Sequence, residues 1–223
     1  MPEKQCPPLL KPAPVLILGN TLFSEEIAGL VSEAPDLELG GFVENLDRDR
    51  CRVQLHGKPV YWVDEIAKLA GKCRFLCGIG TTRRRGYVDQ ATRLGAGFAT
   101  LEHPTSHRSV TSRIGIGSIL GVNTVIASYA HIAEHVILNR AATVGHHTRI
   151  GSCVTIGPGA NIAGRCSVGD GTYIGMGANV VDGVTIGNNS VVGAGAVVLQ
   201  DVPDNVCVVG VPARVVKTEI EGH

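Results

Sequence analysis

Aromatic side chains are scarce in this chain of 223 residues, in which phenylalanine, tyrosine and tryptophan together make up only 4%. The chain also lacks a charge bias, because 20 basic residues balance 20 acidic ones. A protein without net charge is poorly suited to the polyanionic surface of a nucleic acid or an anionic membrane. The composition therefore argues against both kinds of partner and favours a core that is filled by aliphatic side chains.

No apolar run approaches the roughly 18 residues that a membrane-spanning helix requires. Prolines at positions 7, 8, 12 and 14 interrupt any apolar segment that could serve as a signal peptide. The seven cysteines lack the spacing of a metal site or a disulfide framework, and Cys73 and Cys77 do not form a CxxC motif. We therefore expect reduced thiols, no metal, no membrane association and a cytoplasmic location.

What the sequence does contain is an unbroken six-residue repeat. Every sixth position is aliphatic, and a small or thin residue follows four positions later. Self-similarity at a fixed period is the signature of a repeat architecture. The aliphatic positions are Ile114, Leu120, Ile126, Ile132, Leu138, Val144, Ile150, Ile156, Ile162, Val168, Ile174, Val180, Ile186, Val192 and Val198.

A period of six indicates short strands joined by corners, because apolar residues return every three or four positions in a helix. Positions i and i+4 share one face of a strand, since they differ by an even number. We expect the glycine or alanine that often stands at i+1 to turn the corner, because glycine tolerates positive φ. Three sides close a triangular coil of eighteen residues, and the fifteen hexads give about five coils.

This repeat resembles that of the hexapeptide-repeat acyltransferases, which form a left-handed parallel β-helix. Within that superfamily the chain is most similar to bacterial sugar acetyltransferases that carry an N-terminal nucleotide-sugar-binding domain. They include the UDP-amino-sugar N-acetyltransferases and the sialic acid O-acetyltransferase group. The resemblance implies acetyl-CoA as co-substrate, a nucleotide-linked sugar as acceptor, and a homotrimer with active sites between its subunits.

Strand and helix patterns alternate ahead of the repeat. We predict strands at 15–18, 37–43, 74–79 and 97–101, and helices at 24–32, capped by Ser24, at 63–70 and at 87–94. Such alternation predicts a Rossmann-like α/β domain with a small parallel sheet and a ligand crevice at the strand C-termini. The predicted division is a flexible lead at 1–13, this nucleotide-sugar-binding domain at 14–102, a junction at 103–113, the β-helix at 114–203 and a C-terminal tail at 204–223.

Three loops of this domain follow predicted strands and are similar to the family's nucleotide-binding segments. The first keeps one glycine of a glycine-rich turn, and helix N-terminal amides beside it could hold a pyrophosphate. In the second, Glu44 and Asn45 stand where the family has an acidic pair. The third is similar to a Gly-x-x-x-x-Arg loop. The resemblance therefore implies nucleotide-sugar binding by Gly19, Asn20, Thr21, Glu44, Asn45, Gly80 and Arg85.

A column of outward-facing repeat positions is flanked by glycines on both sides. Corner-turning explains the first glycine of each Gly-x-Gly trio but leaves the second unexplained. Stacked glycines should leave a furrow of exposed backbone in which a long, thin pantetheine chain fits. We predict acetyl-CoA binding there, by Thr155, Gly175, Met176, Gly177, Gly193, Ala194 and Gly195.

The segment from Asn139 to His147 is similar to the family's Asn…Gly-His motif. The resemblance implies that His146 is the catalytic base and that Asn139 lies in the same site. A neutral imidazole can accept the proton of an attacking sugar amine near neutral pH. His147 occupies the position at which the family has a carboxylate, so Glu134, Asp182 or a backbone carbonyl is a candidate to orient the imidazole of His146.

Three other functions are compatible with parts of the sequence. O-acetylation of a sialic-acid-type sugar belongs to the same superfamily. A zinc lyase of the carbonic-anhydrase type could draw on His131, His135, His146 and His147, but it needs three histidines that converge across an interface. A scaffold that binds nucleotide-sugar without catalysis is the third. The leading hypothesis is an acetyl-CoA-dependent N-acetyltransferase that acts on a nucleotide-linked sugar in bacterial surface glycan biosynthesis.

Overall fold

The computed structural model describes residues 14–223, so the flexible lead predicted for residues 1–13 lies outside the described residues. The N-terminal region is a four-stranded parallel sheet with the strand order β3-β2-β1-β4. Its strands are β1 (Pro14–Leu18), β2 (Glu38–Glu44), β3 (Val60–Trp62) and β4 (Arg74–Cys77). Because all strands are parallel, the loops that follow β1, β2 and β4 meet at one edge of the sheet.

Two α-helices connect strands of this sheet, namely α1 (Leu22–Glu33) and α2 (Ile66–Leu69), and a third, α3 (Arg85–Arg93), follows β4. Short 3₁₀ turns occupy Arg48–Arg52, Val63–Glu65 and Thr82–Arg84. The predicted cap of α1 is wrong by three residues, because the helix is capped at Thr21. Ser24 instead lies in the first turn, where its Oγ accepts from the Thr21 amide at 3.3 Å and donates to the Gly78 carbonyl at 3.1 Å.

The repeat folds into a parallel β-helix whose strands form three ladders, and these ladders fit a left-handed coil. Paired residues are eighteen apart in sequence, as Ile132 and Ile150 are. The face-one ladder contains Arg113–Ile114, His131–Ile132, Arg149–Ile150, Ser167–Val168 and Thr185–Ile186. The face-two ladder contains Leu101–Glu102, Ile119–Leu120, Ile137–Leu138, Thr155–Ile156, Tyr173–Ile174, Val191–Val192, Cys207–Val209 and Arg214–Lys217. The face-three ladder contains His107–Arg108, Val125–Ile126, Thr143–Val144, Asn161–Ile162, Asn179–Val180 and Val197–Val198.

The β-helix extends beyond the predicted 114–203 at both ends. Leu101–Glu102 pairs with Ile119–Leu120, so residues 101–113 form coil strands rather than a junction. Of the strand predicted at 97–101, Phe98 forms a bridge with Phe75 of the N-terminal sheet, whereas Leu101 belongs to the β-helix. After residue 203, Cys207–Val209 continues the face-two ladder and Arg214–Lys217 closes it in antiparallel pairing. Both errors arise because the hexad pattern fades at the ends of the solenoid while the strand pairing continues.

The prediction that the chain turns its corners at position i+1 of the hexad is wrong. Positive φ recurs at i+3, as at Ala141, His147 and Cys153, and not at i+1. Glycine at i+1 has a steric reason instead: a Cβ at Gly145 would lie 2.4 Å from the backbone of Ala163 in the next coil. The glycines at i+3, including Gly177 and Gly195, are therefore the corner residues, and those at i+1 permit coils to stack.

The inward side chains form one dry core, as the hexad predicts; Ile132, Leu138 and Ile156 are fully buried in it. The N-terminal domain packs against face two, where Ile119 and Ile137 share a cluster with Val15, Ile17 and Leu76. Faces one and three carry no such cover within residues 14–223. None of the helices in this range is long and apolar enough to cross a membrane.

Candidate active site

His146 lies on the edge where face three turns into face one, which we call the base edge. It follows the strand Thr143–Val144, and the chain turns at His147, whose φ is 59°. The coil on each side fixes this turn: the His147 amide donates to the Ser128 carbonyl at 3.0 Å, and the Arg165 amide donates to the His146 carbonyl at 2.8 Å. The sequence thus holds an exposed imidazole on a rigid backbone.

The neighbour of the His146 imidazole is the ring of His147, and the two Nδ1 atoms are 3.2 Å apart. Two neutral imidazoles make this contact only when one Nδ1 carries a proton and the other accepts it. If His146 carries the proton on Nδ1, its Nε2 has a free lone pair. His147 then acts as a neutral acceptor where a carboxylate was expected. The ring of Tyr129 packs on His147, with 4.9 Å between centroids.

Space for the His146 ring comes from Gly164, the residue at the equivalent position of the next coil. A Cβ at Gly164 would lie 2.6 Å from His146 Nε2 and 2.9 Å from Asp182 Oδ1. Asp182 is thus near the base, but its carboxylate is paired with Arg165. Glu134 lies on a different edge, between faces one and two. Among residues 14–223, His147 is the side chain that hydrogen-bonds to His146.

The glycine furrow lies on the edge between faces two and three, which we call the furrow edge. A Cβ at Gly175 would lie 2.6 Å from the Ala194 nitrogen, whereas nothing lies within 4 Å of one at Gly177 or Gly195. The amides of Gly177 and Gly195 donate to carbonyls of the preceding coil, so they are not free for a ligand. The amides of Met176 and Ala194 make no such backbone bond within residues 14–223, and both residues are exposed.

One chain does not bring all of the predicted catalytic groups together. His146 and the furrow are on opposite edges of face three. Asn139 follows the face-two strand Ile137–Leu138 and therefore lies on the furrow edge, where its Oδ1 accepts from the Arg140 amide at 2.8 Å. The prediction that Thr155 binds acetyl-CoA is wrong, because Thr155 is 4% exposed. Its hydroxyl accepts from Arg84 at 2.7 Å and donates to Gly80 at 3.0 Å.

The loops after β1, β2 and β4 meet at the C-terminal edge of the sheet, as predicted. Gly19 adopts a φ of 103°, and its amide donates to the Val43 carbonyl at 2.7 Å. Asn20 and Thr21 begin α1 at this edge, and Asn20 Oδ1 is 3.5 Å from an Arg50 guanidinium nitrogen. The Asn45 side-chain amide donates to Gln90 at 3.1 Å.

Two residues predicted to bind nucleotide make contacts within the protein. Glu44 is buried, and its Oε1 accepts from the amides of Asn45 and Leu46 at 2.8 and 2.6 Å. Arg85 reaches across to the β-helix, where its guanidinium lies 3.2 Å from Asp170. Arg84, which the sequence did not single out, is fully buried between the domains and donates to the carbonyls of His135 and Val154.

Tyr129 and Gly164 are not among the predicted site residues, although the eighteen-residue period of the coil could identify them. Tyr129 is one coil before His147, and Gly164 is one coil after His146. Stepping by eighteen from a candidate base therefore identifies its neighbours. No group of three or more His, Cys, Asp or Glu side chains is placed to hold a metal ion within the described chain.

Comparisons with known proteins agree with this fold. The family model described as bacterial transferase hexapeptide (six repeats) matches residues 147–180 and 165–200. The comparison with curated proteins finds no match. Among solved structures, a histidine-to-asparagine mutant of perosamine N-acetyltransferase from Caulobacter crescentus, in complex with CoA and GDP-perosamine, is 30% identical. The match covers 91% of this chain and 96% of that one, with a TM-score of 0.83.

Two further solved structures match over nearly their whole lengths. The acetyltransferase domain of PglB from Neisseria gonorrhoeae, in complex with acetyl coenzyme A, is 28% identical with a TM-score of 0.81. The match covers 92% of this chain and 100% of that one. WeeI from Acinetobacter baumannii is 28% identical with a TM-score of 0.80, over 91% of this chain and 99% of that one. The repeat, the N-terminal α/β region and these similarities show that the chain belongs to the hexapeptide-repeat sugar acetyltransferases.

Proposed function

We propose that this enzyme transfers the acetyl group of acetyl-CoA to an amino group of a nucleotide-linked sugar, in bacterial surface glycan biosynthesis. The observation that carries the proposal is the His146 imidazole, which stands on an exposed edge with Nδ1 against His147 and with its Nε2 turned to the space above Gly164. The solved relatives support the substrates: the Caulobacter protein was solved with CoA and GDP-perosamine, and the Neisseria domain with acetyl coenzyme A. A second Caulobacter structure carries alanine in place of a histidine.

The proposed reaction is direct transfer without an acyl-enzyme. The sugar nitrogen uses its lone pair to attack the thioester carbonyl, and Nε2 of His146 accepts the proton that the nitrogen loses. The free amides of Met176 and Ala194 are the candidates to stabilise the oxyanion of the tetrahedral intermediate. When the carbon–sulfur bond breaks, the CoA thiolate leaves and takes a proton from the imidazolium, which returns His146 to its starting form.

The position of the two edges supports a homotrimer with sites between subunits. From Val125 to Val197 the outward residues of face three carry no Lys, Arg, Asp or Glu. Three of them form a hydrogen-bonded column, in which Asn161 receives a bond from Thr143 and donates one to Asn179. If this flat, uncharged face lies toward a three-fold axis, the base edge of each subunit approaches the furrow edge of the next. That arrangement would unite His146 with Asn139, Gly175, Gly177, Gly193 and Gly195 of a neighbour.

The N-terminal domain is proposed to be a Rossmann-like nucleotide-sugar-binding domain, and the β-helix behind it to have about five complete coils. Gly19, Asn20, Thr21, Asn45 and Gly80 surround the edge of the sheet at which a nucleotide would bind. Glu44 shapes that edge by holding the turn after β2. We place the reaction in the cytoplasm, since the six cysteines of the described chain are free thiols.

The test is an acceptor screen with acetyl-CoA and UDP-, GDP- and dTDP-linked amino sugars, followed by thiol release. We expect rapid release with one of these acceptors and acetylation of its amine in the product. Transfer to a hydroxyl of a sialic-acid-type sugar would instead establish O-acetylation. Sedimentation should give a mass near three chains, and a monomer that is active at nanomolar concentration would contradict sites between subunits.

A further inference from the structure

Face one of the β-helix carries a column of basic side chains that no ligand or partner yet explains. Arg113, His131 and Arg149 occupy matching positions of three consecutive strands, and all three are exposed. Matching positions on adjacent strands are about 4.8 Å apart. The two arginines are therefore two strand spacings apart on one face, with His131 between them.

Within residues 14–223, neither arginine of this column forms an ion pair. Two nearby carboxylates form ion pairs with other arginines: Asp170 pairs with Arg85, and Asp182 pairs with Arg165. Glu134 is at the far edge of face one, in a depression of about 370 Å³ that it shares with Arg113 and His131.

A second, larger depression shows that the column faces a concave surface. Its volume is about 660 Å³, and Arg113, His131 and Arg149 line it together with Tyr129 and His147. The column therefore runs from the base edge near His147 toward the first coils of the β-helix. Two guanidinium groups above a hollow provide the donors and the charge that phosphate oxygens bind well.

This basic column is not positioned to bind the phosphates of acetyl-CoA. The glycine furrow rises from Gly157 through Gly175 to Gly193, in coils beyond the level of His146. A thioester placed at His146 sends its pantetheine along that furrow, so the CoA phosphates lie toward the last coils. There the outward face-one residues are Ser167 and Thr185, which are neutral. The basic column lies on the other side of His146.

The acceptor approaches from the direction of the column. In the proposed trimer, face one of one subunit stands opposite the N-terminal domain of the next, because that domain covers face two beyond the furrow edge. A sugar that reaches His146 while its nucleotide is held in that domain must place its phosphates between the two subunits. We propose that Arg113, His131 and Arg149 bind the diphosphate of the nucleotide-sugar acceptor across the subunit interface, an inference that rests on the proposed function.

The test compares the double variant Arg113→Gln/Arg149→Gln with wild type and with Arg93→Gln. Arg93 is an exposed arginine at the end of α3, away from face one, so it controls for loss of positive charge. Calorimetry with GDP, UDP and dTDP should show that the double variant binds the preferred diphosphate about tenfold or more weakly, which corresponds to about 1.4 kcal/mol. The salt dependence of binding should also become shallower, whereas CoA binding should not change.

Several results would overturn the proposal. They are unchanged diphosphate binding in the double variant, an equal loss of CoA affinity, absence of any diphosphate binding by the wild type, or failure of the double variant to form a trimer. The last would show that the column contacts acidic groups of a neighbour instead. If the wild type acetylates a nucleotide sugar and the acceptor KM is unmoved in the double variant, this inference fails while the proposed function stands. If no acceptor is acetylated but diphosphate binding depends on the column, the proposed function fails while the phosphate site stands.

Discussion

The His146 imidazole depends on two neighbours that have different tasks. His147 accepts or donates at Nδ1, and Gly164 leaves open the space that the ring occupies. A neutral partner fixes the ring and its tautomer but does not stabilise imidazolium as a carboxylate does.

Replacing His146 with asparagine should lower kcat and leave substrate binding intact. Asparagine keeps the shape and some hydrogen bonding but cannot take the proton from the attacking amine. Loss of a general base typically costs about 10²–10⁴-fold, and we expect the lower end because a free amine is already nucleophilic. Stopped-flow thiol release measures the change, with His56→Asn as a control in the N-terminal domain. A near-normal kcat for His146→Asn would refute the role of His146 as the base.

Replacing Gly164 with alanine should also impair catalysis, although it removes no functional group. The new Cβ would lie 2.6 Å from His146 Nε2, so the imidazole must move aside. Displacement of a catalytic group by about 1 Å can cost about 10²-fold in rate. Gly86→Ala is the matched control, because its Cβ would meet nothing within 4 Å. Equal kcat values for the two variants would show that the ring position does not matter.

At the scale of elements, the hexad correctly predicts which residues are buried in the core, but it does not predict the role of the glycines. The aliphatic residue at every sixth position is buried because side chains alternate along a strand and coils stack every eighteen residues. Both regularities can be read from the sequence. The role of glycine depends on the adjacent coil, which a one-dimensional pattern does not show. The Gly177 and Gly195 positions, with φ of 65° and 66°, are strained for any other residue, so large substitutions there also disturb the backbone.

Ala194 is the better position at which to obstruct the furrow, because it is exposed and does not have positive φ. Ala194→Phe should raise the apparent KM for acetyl-CoA about tenfold or more, the effect of losing about 1.4 kcal/mol of binding. The acceptor KM and the unfolding midpoint should stay unchanged. Ile116→Phe, at an exposed corner between faces one and two, is the control. A change confined to the acceptor KM would assign the furrow to the sugar.

At the scale of the whole molecule, Arg84 joins the two domains. Burial lowers the pKa of its guanidinium, yet it has no carboxylate partner within residues 14–223. Its donors instead bond to the carbonyls of Thr81, His135 and Val154 and to the Thr155 hydroxyl. The sequence did not reveal this role, since nothing local distinguishes Arg84 from Arg83 and Arg85, and its acceptors on the β-helix lie 51 to 71 residues away.

Arg84→Met should destabilise the docked arrangement by about 3 kcal/mol or more, because several buried acceptors lose charged hydrogen bonds worth about 1.5–3 kcal/mol each. Urea unfolding measures this loss, and limited proteolysis should cut the N-terminal domain first. Arg84→Lys should recover part of the stability, since one ammonium supplies three donors but not the planar fork. Arg83→Met, on an exposed side chain, is the control. An unchanged midpoint for Arg84→Met would refute the joining role.

The separation of base and furrow onto opposite edges of one face makes complementation between two impaired enzymes possible. A His146→Asn subunit keeps an open furrow, and an Ala194→Phe subunit keeps its base. In a mixed trimer, the interface at which the second offers its base to the furrow of the first has a complete site. At an acetyl-CoA concentration well below the wild-type KM, random mixing of equal amounts should restore about a quarter of the wild-type activity. Neither variant alone should reach that level, and a chain that held its whole site by itself would show no gain on mixing.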